Sequence, residues 1–204
     1  GFEFDAISTG FIVTEEETRI ISDFCHRRAQ KGTKVFVDPI MGDNGKLYAG
    51  VPESTIGLMR SLVECADYAV PNYTEACLLT DTPIAEEITA DEARALVDAM
   101  LALGTKSVVI TSAKVDGASA VVGYDHVAGE YFEIPFELIP VYFPGTGDTF
   151  SAVLMGRVMS GWSLQRATAD AMRVVAELIE RNADQEDKSA GLPIEACLDV
   201  VDHE

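Results

Sequence analysis

The chain has 204 residues, 48% of them hydrophobic, and carries 34 Asp and Glu against 15 Lys and Arg, a formal net charge of −19. That size and apolar content suit a single α/β domain with a substantial core, and so acidic a surface excludes general affinity for nucleic acid or an anionic membrane. No apolar run approaches the roughly 18 residues that cross a bilayer, and the opening Gly1-Phe2-Glu3-Phe4-Asp5 lacks the basic-then-apolar layout of a signal peptide, so a soluble, cytoplasmic protein is expected.

The start has no initiator Met and enters a strand candidate within a few residues, which reads as a fragment. Cys25, Cys65, Cys77 and Cys197 form no Cys-x-x-Cys pair, and His26, His126 and His203 lie far apart in sequence. Plain thiols are expected, not a zinc site or a disulfide framework.

Short apolar runs then alternate with amphipathic stretches, as in βα units around a largely parallel sheet. After a strand over Phe4 to Ser8, Thr14-Glu15-Glu16-Glu17 is a capping box that opens a helix to about Gln30. Lys34 to Asp38 reads as a buried strand closing on Pro39, followed by a loop from Ile40 to Gly50. A second helix is predicted over roughly Pro52 to Cys65, and a short strand at Tyr68-Ala69-Val70 is stopped by Pro71. A further helix follows, and Thr89-Ala90-Asp91-Glu92 is another capping box. Ala93, Leu96, Val97, Met100 and Leu101 then fall on one helical face. Ser107 to Thr111, rich in β-branched residues, is expected at the sheet centre. Ser119 to Gly123 and Glu130 to Phe136 resemble an antiparallel edge pair. A strand-like segment at Tyr142-Phe143 leads into Pro144-Gly145-Thr146-Gly147-Asp148 and a helix to about Ser160. A longer helix from Ser163 buries Leu164, Ala167, Ala171, Val174, Val175 and Leu178. Arg181 to Gly191 is an exposed loop, and a last helix covers about Pro193 to Val201.

Gly145-Thr146-Gly147-Asp148 is the strongest motif. Its glycines let consecutive N–H groups point outward at a helix N-terminus, which makes an anion hole suited to the charge that a phosphoryl group spreads in transfer. Asp148 could take the proton of an attacking hydroxyl; the plain alternative is a capping turn. Asp38 and Asp43, at the end of a buried strand, suit Mg²⁺, although Asp43-Asn44-Gly45 is also ordinary turn chemistry. Asn72 and Glu75 could converge on a metal-bound water or a phosphate, or simply form an N-cap with Glu at N3. Thr111 and Ser112 end the central strand, where hydroxyls could meet a nucleotide. All four clusters sit at strand C-termini, so one crevice could collect them.

Taken together, these residues resemble the ribokinase superfamily. Val37-Asp38-Pro39-Ile40-Met41-Gly42-Asp43 and Pro71-Asn72-Tyr73-Thr74-Glu75-Ala76 are similar to its pyridoxal (vitamin B6) kinase branch. The resemblance runs from Asp5-Ala6-Ile7-Ser8-Thr9-Gly10 to Leu192-Pro193-Ile194-Glu195. It implies a three-layer α/β/α fold with a largely parallel central sheet and an antiparallel edge pair. It implies Mg²⁺ and ATP as partners in phosphorylating the 5′-hydroxyl of pyridoxal, pyridoxine or pyridoxamine. Asp148 would be the base that meets the vitamer hydroxyl, with Gly145, Thr146 and Gly147 as anion hole. Asp38, Asn72, Glu75, Thr111 and Ser112 would handle ATP, and Asp43 with Glu75 the metal. Family members often need a monovalent cation such as K⁺ and usually form homodimers; the sequence itself displays neither. By this resemblance, the family's opening βαβ region is expected to be missing from this chain. The alternatives are a hydroxymethylpyrimidine or sugar kinase of the same superfamily, or a non-catalytic nucleotide-binding or dimerising remnant. The hydroxymethylpyrimidine branch often carries Cys where this chain has Asp148.

Overall fold

The computed structural model describes residues 2–201; Gly1 and His203, named above, lie outside them. The chain forms two compact units, one extending to Phe136 and the other beginning at Glu137. In chain order the first contains β1 (Ala6–Thr9), α1 (Glu15–Ala29), β2 (Lys34–Val37), β3 (Gly42–Asp43), β4 (Lys46–Leu47), α2 (Thr55–Val63), β5 (Tyr68–Ala69), α3 (Tyr73–Thr80), α4 (Ala90–Ala102), β6 (Ser107–Val115), β7 (Ala118–Asp125) and β8 (Glu130–Phe136).

The main sheet has the order β1-β2-β5-β6-β7-β8. Pairing is parallel from β1 through β6 and antiparallel from β6 to β8, so the expected parallel sheet with an antiparallel edge pair is what forms. Helices α1, α2, α3 and α4 pack in succession, each against the next. Their apolar faces meet alternate residues of the strands, with Val35, Val37, Ala69, Val108 and Ile110 in one core with Met59, Leu62, Leu79, Leu96 and Met100. A buried carboxylate ties three strands together: Asp67 accepts from Val35 N at 2.9 Å and from Lys106 Nζ at 2.7 Å, just before β5 and β6 respectively.

Local chemistry sets the helix ends. Thr14 accepts from Glu17 N at 3.2 Å while Glu17 accepts from Thr14 N at 3.0 Å, and Thr89 and Glu92 repeat the exchange at 3.2 and 2.8 Å. Both predicted capping boxes are present. On α4, Ala93, Leu96, Val97 and Met100 are buried, as their spacing requires.

In the first unit, three elements stand out as different from the sequence reading. Pro52 and Glu53 accept in i→i+3 turns, from Thr55 N at 3.0 Å and Ile56 N at 3.1 Å, so α2 starts later than Pro52; no Ser54 side-chain cap is present to extend it. The Ile40 to Gly50 loop holds the hairpin β3–β4. Its two-residue turn, Asn44 (φ 52°) and Gly45 (φ 79°), has the paired positive φ angles that suit the twist of a tight hairpin. Strand β6 continues past Thr111 to Val115 through a bulge between Ile110 and Ala113, with Ser112 at φ 60°.

At the far edge, β8 pairs among the described residues with β7 alone, and it exposes Glu130, Glu133 and Pro135.

The second unit contains α5 (Thr146–Met159), α6 (Leu164–Arg181) and a 3₁₀ helix over Ile194–Val200, where the sequence suggested a regular helix. α5 and α6 pack together, and the 3₁₀ segment lies on α6. Leu164, Ala167, Ala171, Val174 and Leu178 are buried as predicted, whereas Val175 is only half-buried. Asp170 draws in Arg157 at 2.8 Å and Arg173 at 2.9 Å, and these guanidinium groups donate to Val201 O and Val200 O, which holds the closing segment down. Among the described residues Tyr142-Phe143 joins no ladder. Pro140 and Pro144 flank it without N–H donors, and Phe143 is instead a buried anchor.

Candidate active site

In the first unit, three of the predicted clusters come together across neighbouring strands: two follow the carboxyl ends of β2 and β5, and Thr111-Ser112 lie at the bulge within β6. Val70 N donates to Val37 O at 2.9 Å and Thr111 N to Pro71 O at 3.0 Å, so these three segments run side by side. Asn72 and Thr111 form an isolated parallel bridge beyond the end of β5. Asp38 is half-buried after β2, its N–H donating to Thr9 O at 3.0 Å. Thr111 is half-buried and Ser112 exposed at the bulge.

The centre of this arrangement is the first turn of α3. Asn72 Oδ1 accepts from Glu75 N and Glu75 Oε2 accepts from Asn72 N, both at 2.9 Å, so the pair is a capping box. It is also more than that. Glu75 Oε1 accepts from Met41 N at 3.0 Å and from Gly42 N at 3.5 Å, and Asn72 Nδ2 donates to Gly42 O at 2.8 Å. Thr74 Oγ1 accepts from Gly45 N at 2.9 Å. The N-terminus of α3 therefore grips the β3–β4 hairpin at its base and at its tip. Gly42 is required for the close approach, because a Cβ there would lie 2.5 Å from Lys46 O.

Glu75 is only 3% exposed. Burial pushes its carboxyl up to about 8, with the N–H groups of Asn72, Met41 and Gly42 opposing and the negative charge of Asp38 adding to the rise. Burial thus favours the uncharged form more than it would for an exposed carboxyl. Asp43, half-buried beside the hairpin turn, accepts from Asn44 N at 2.7 Å and from Asn44 Nδ2 at 3.1 Å.

Among the described residues no group of three or more His, Cys, Asp or Glu is arranged to hold a metal ion by itself. Magnesium that travels with a nucleotide needs no such cage, since one or two carboxylates plus phosphate oxygens and waters suffice. Asp38 and Asp43 are hard-oxygen donors of that kind, so the residues present fit the ion. Cys25, Cys65, Cys77 and Cys197 are all free thiols.

In the second unit, Gly145 is the N-cap of α5 at φ 84°, ψ 4°, a left-handed conformation open to glycine. Thr146 starts the helix, and Asp148 lies in its first turn, exposed, with Oδ2 3.9 Å from where a Gly145 Cβ would be. No side chain caps this helix; Thr149 Oγ1 turns back to donate to Gly145 O at 2.9 Å. The turn's own N–H groups at a helix N-terminus are the feature suited to an anion. The neighbouring loop is close: a Cβ on Gly191 would meet Pro144 O at 3.1 Å, and Lys188 Nζ lies 5.9 Å from the Phe143 ring centroid.

Sequence reasoning passed over Thr74 and the main chain of Met41 and Gly42. The only signal for the first was a hydroxyl inside an Asn-x-x-Glu helix start, and its partner Gly45 lies far away in sequence.

A largely parallel sheet with polar clusters at its strand ends, together with a separate Gly-Thr-Gly-Asp helix start, defines a ribokinase-like protein. The chain belongs to the family described as phosphomethylpyrimidine kinase, whose sequence model matches residues 1–192. It is 34% identical over 174 residues to the pyridoxal kinase of Arabidopsis thaliana, covering 80% of this chain and 53% of that protein. A crystal structure from Bacteroides thetaiotaomicron, described as a phosphomethylpyrimidine kinase and obtained with pyridoxal, aligns at TM-score 0.91 and 32% identity, over 99% of this chain and 72% of that one. The pyridoxal kinase of Leishmania donovani, in complex with ADP and pyridoxamine, aligns at TM-score 0.79 and 25% identity, over 98% of this chain and 71% of that one. The chain spans about half the length of the curated relatives it matches. No helix among the described residues is long and apolar enough to cross a membrane.

Proposed function

We propose that this chain is the phosphoryl-transfer portion of an ATP-dependent kinase that phosphorylates the 5′-hydroxyl of pyridoxal, pyridoxine or pyridoxamine. The observation that carries the reading is the Gly145 cap, a left-handed glycine that opens α5 with Asp148 in its first turn and no side-chain cap. Family membership and relatives named as pyridoxal kinases support the substrate class.

In this reading the N–H groups of Gly145, Thr146 and Gly147 receive the charge that builds on the transferred phosphoryl oxygens. Asp148 accepts the proton of the attacking hydroxyl. Asp38, Asn72, Thr111 and Ser112 border the triphosphate. Asp43, with Glu75 behind it, would hold Mg²⁺, which supplies charge neutralisation at the phosphates. A homodimer, a K⁺ requirement and a cytoplasmic setting belong to the same proposal.

Replacing Asp148 by Ala tests it. The substitution should lower kcat by about 10²-fold or more, with little change in Mg·ATP affinity, in a coupled ADP assay over the three vitamers. Near-wild-type turnover by Asp148→Ala would remove the base from that role. Binding of Mg·ATP without turnover of any vitamer, a sugar or hydroxymethylpyrimidine would favour a nucleotide-binding remnant.

A further inference from the structure

The clamp between α3 and the β3–β4 hairpin assigns work to a residue that the proposed chemistry leaves unused. Three side chains from one helical turn reach the hairpin, and they do so at different points. Asn72 and Glu75 hold its base, through Gly42 O and the N–H groups of Met41 and Gly42. Only Thr74 reaches the turn, where its hydroxyl accepts from Gly45 N at 2.9 Å. Thr74 is 4% exposed, so the accepting side of this bond is sheltered, whereas Asn44 and Gly45 are exposed.

A two-stranded ribbon this short is not stable alone in water. Strands β3 and β4 have two residues each, paired as Gly42 with Leu47 and Asp43 with Lys46. Their tip would pivot about the base if nothing held it. Asp43 and Lys46 flank the turn, and Asp43 folds its carboxylate onto Asn44, so the placement of these charges follows the placement of the Gly45 peptide.

We infer that Thr74 is a positioning residue: by holding the Gly45 amide it fixes the tip of the hairpin, and with it Asp43 and Lys46, in the place where a metal–triphosphate is received. The inference rests on the reading of this region as a nucleotide site.

The test is amide hydrogen exchange together with calorimetric titration of Mg·ATP on the full chain, for wild type, Thr74→Val and Thr74→Ser. Valine keeps the shape and removes the acceptor; serine restores the acceptor. In Thr74→Val the Gly45 amide should exchange about tenfold faster while Cys77 and Leu79, later in α3, keep their rates. Affinity for Mg·ATP should fall about fivefold, ATP titrated in EDTA should bind all the proteins alike, and Thr74→Ser should match wild type. Unchanged Gly45 exchange, or faster exchange along the whole of α3, overturns the inference. So does a local loss of protection that leaves Mg·ATP affinity intact, or weakening that is equal with and without the metal. If wild type itself takes up no Mg·ATP, the nucleotide reading fails, and the wild-type titration shows this before any variant is compared.

Discussion

Substituting Glu75 by Gln should reverse sign with pH. Glu75 is 3% exposed, and burial raises its carboxyl to about 8 from an ordinary 4.5. Between those values the unfolded chain has lost the proton that the folded chain keeps, so rising pH favours unfolding. The group's contribution is complete below about pH 4.5 and is lost as pH climbs through 8. At about 1.4 kcal/mol per pKa unit, that span is worth roughly 5 kcal/mol. Gln does not titrate. Its amide oxygen can accept from either Met41 N or Asn72 N, but its NH₂ then faces the other donor, a mismatch of about 1–3 kcal/mol. Urea unfolding in EDTA, followed by circular dichroism at pH 5, 6.5 and 8.5, should therefore find wild type the more stable at pH 5 and Glu75→Gln the more stable at pH 8.5. The general repulsion of a −19 chain acts on both proteins and cancels in the difference. A gap that stays constant, or that grows in favour of wild type as pH rises, would mean the N–H groups hold Glu75 ionised, and the reasoning from burial would be wrong.

Two further outcomes follow from backbone geometry. Ser112 sits at φ 60° in the β6 bulge, so Ser112→Gly should be at least as stable as wild type in urea, whereas Ser112→Val should lose roughly 1–2 kcal/mol. A clear loss in Ser112→Gly would show that the hydroxyl, not the bulge, stabilises that turn. A Cβ on Gly123 would lie 2.4 Å from Val108 O and 2.5 Å from Phe132 Cζ, in the middle of the β6–β7–β8 ladder. Gly123→Ala should lower stability by about 1–3 kcal/mol; a neutral result would show that β8 yields easily.

What the sequence made legible was local. The boxes at Thr14, Asn72 and Thr89 each close within three residues, so their side-chain and backbone partners are adjacent in the text of the chain. The period-3.6 face of α4 and the β-branched run Val108-Val109-Ile110 were legible for the same reason. Asn44-Gly45 did carry a hairpin signal, but strands of two residues are too short to show alternation around it. Other features depend on partners far away. Glu75 could be read as a phosphate or metal candidate or as an N3 capping acid, but neither reading shows its burial, which raises its pKa, or its grip on Met41, a contact 34 residues back. Nothing in Thr111-Ser112 announces a bulge, whose partners, Pro71 on one edge and β7 on the other, are distant in sequence or follow it. Tyr142-Phe143 has strand composition, yet the flanking prolines withhold the donors a ladder needs.

The outer edge strand also bears on self-association. Pro135 presents no N–H to an incoming strand, and Glu130 and Glu133 would bring like charges together if two copies met edge to edge. Copies of this chain are therefore discouraged from adding to one another along β8, and replacing Pro135 by Val with Glu133 by Thr would open a route to fibrous or edge-paired assemblies that the native strand resists.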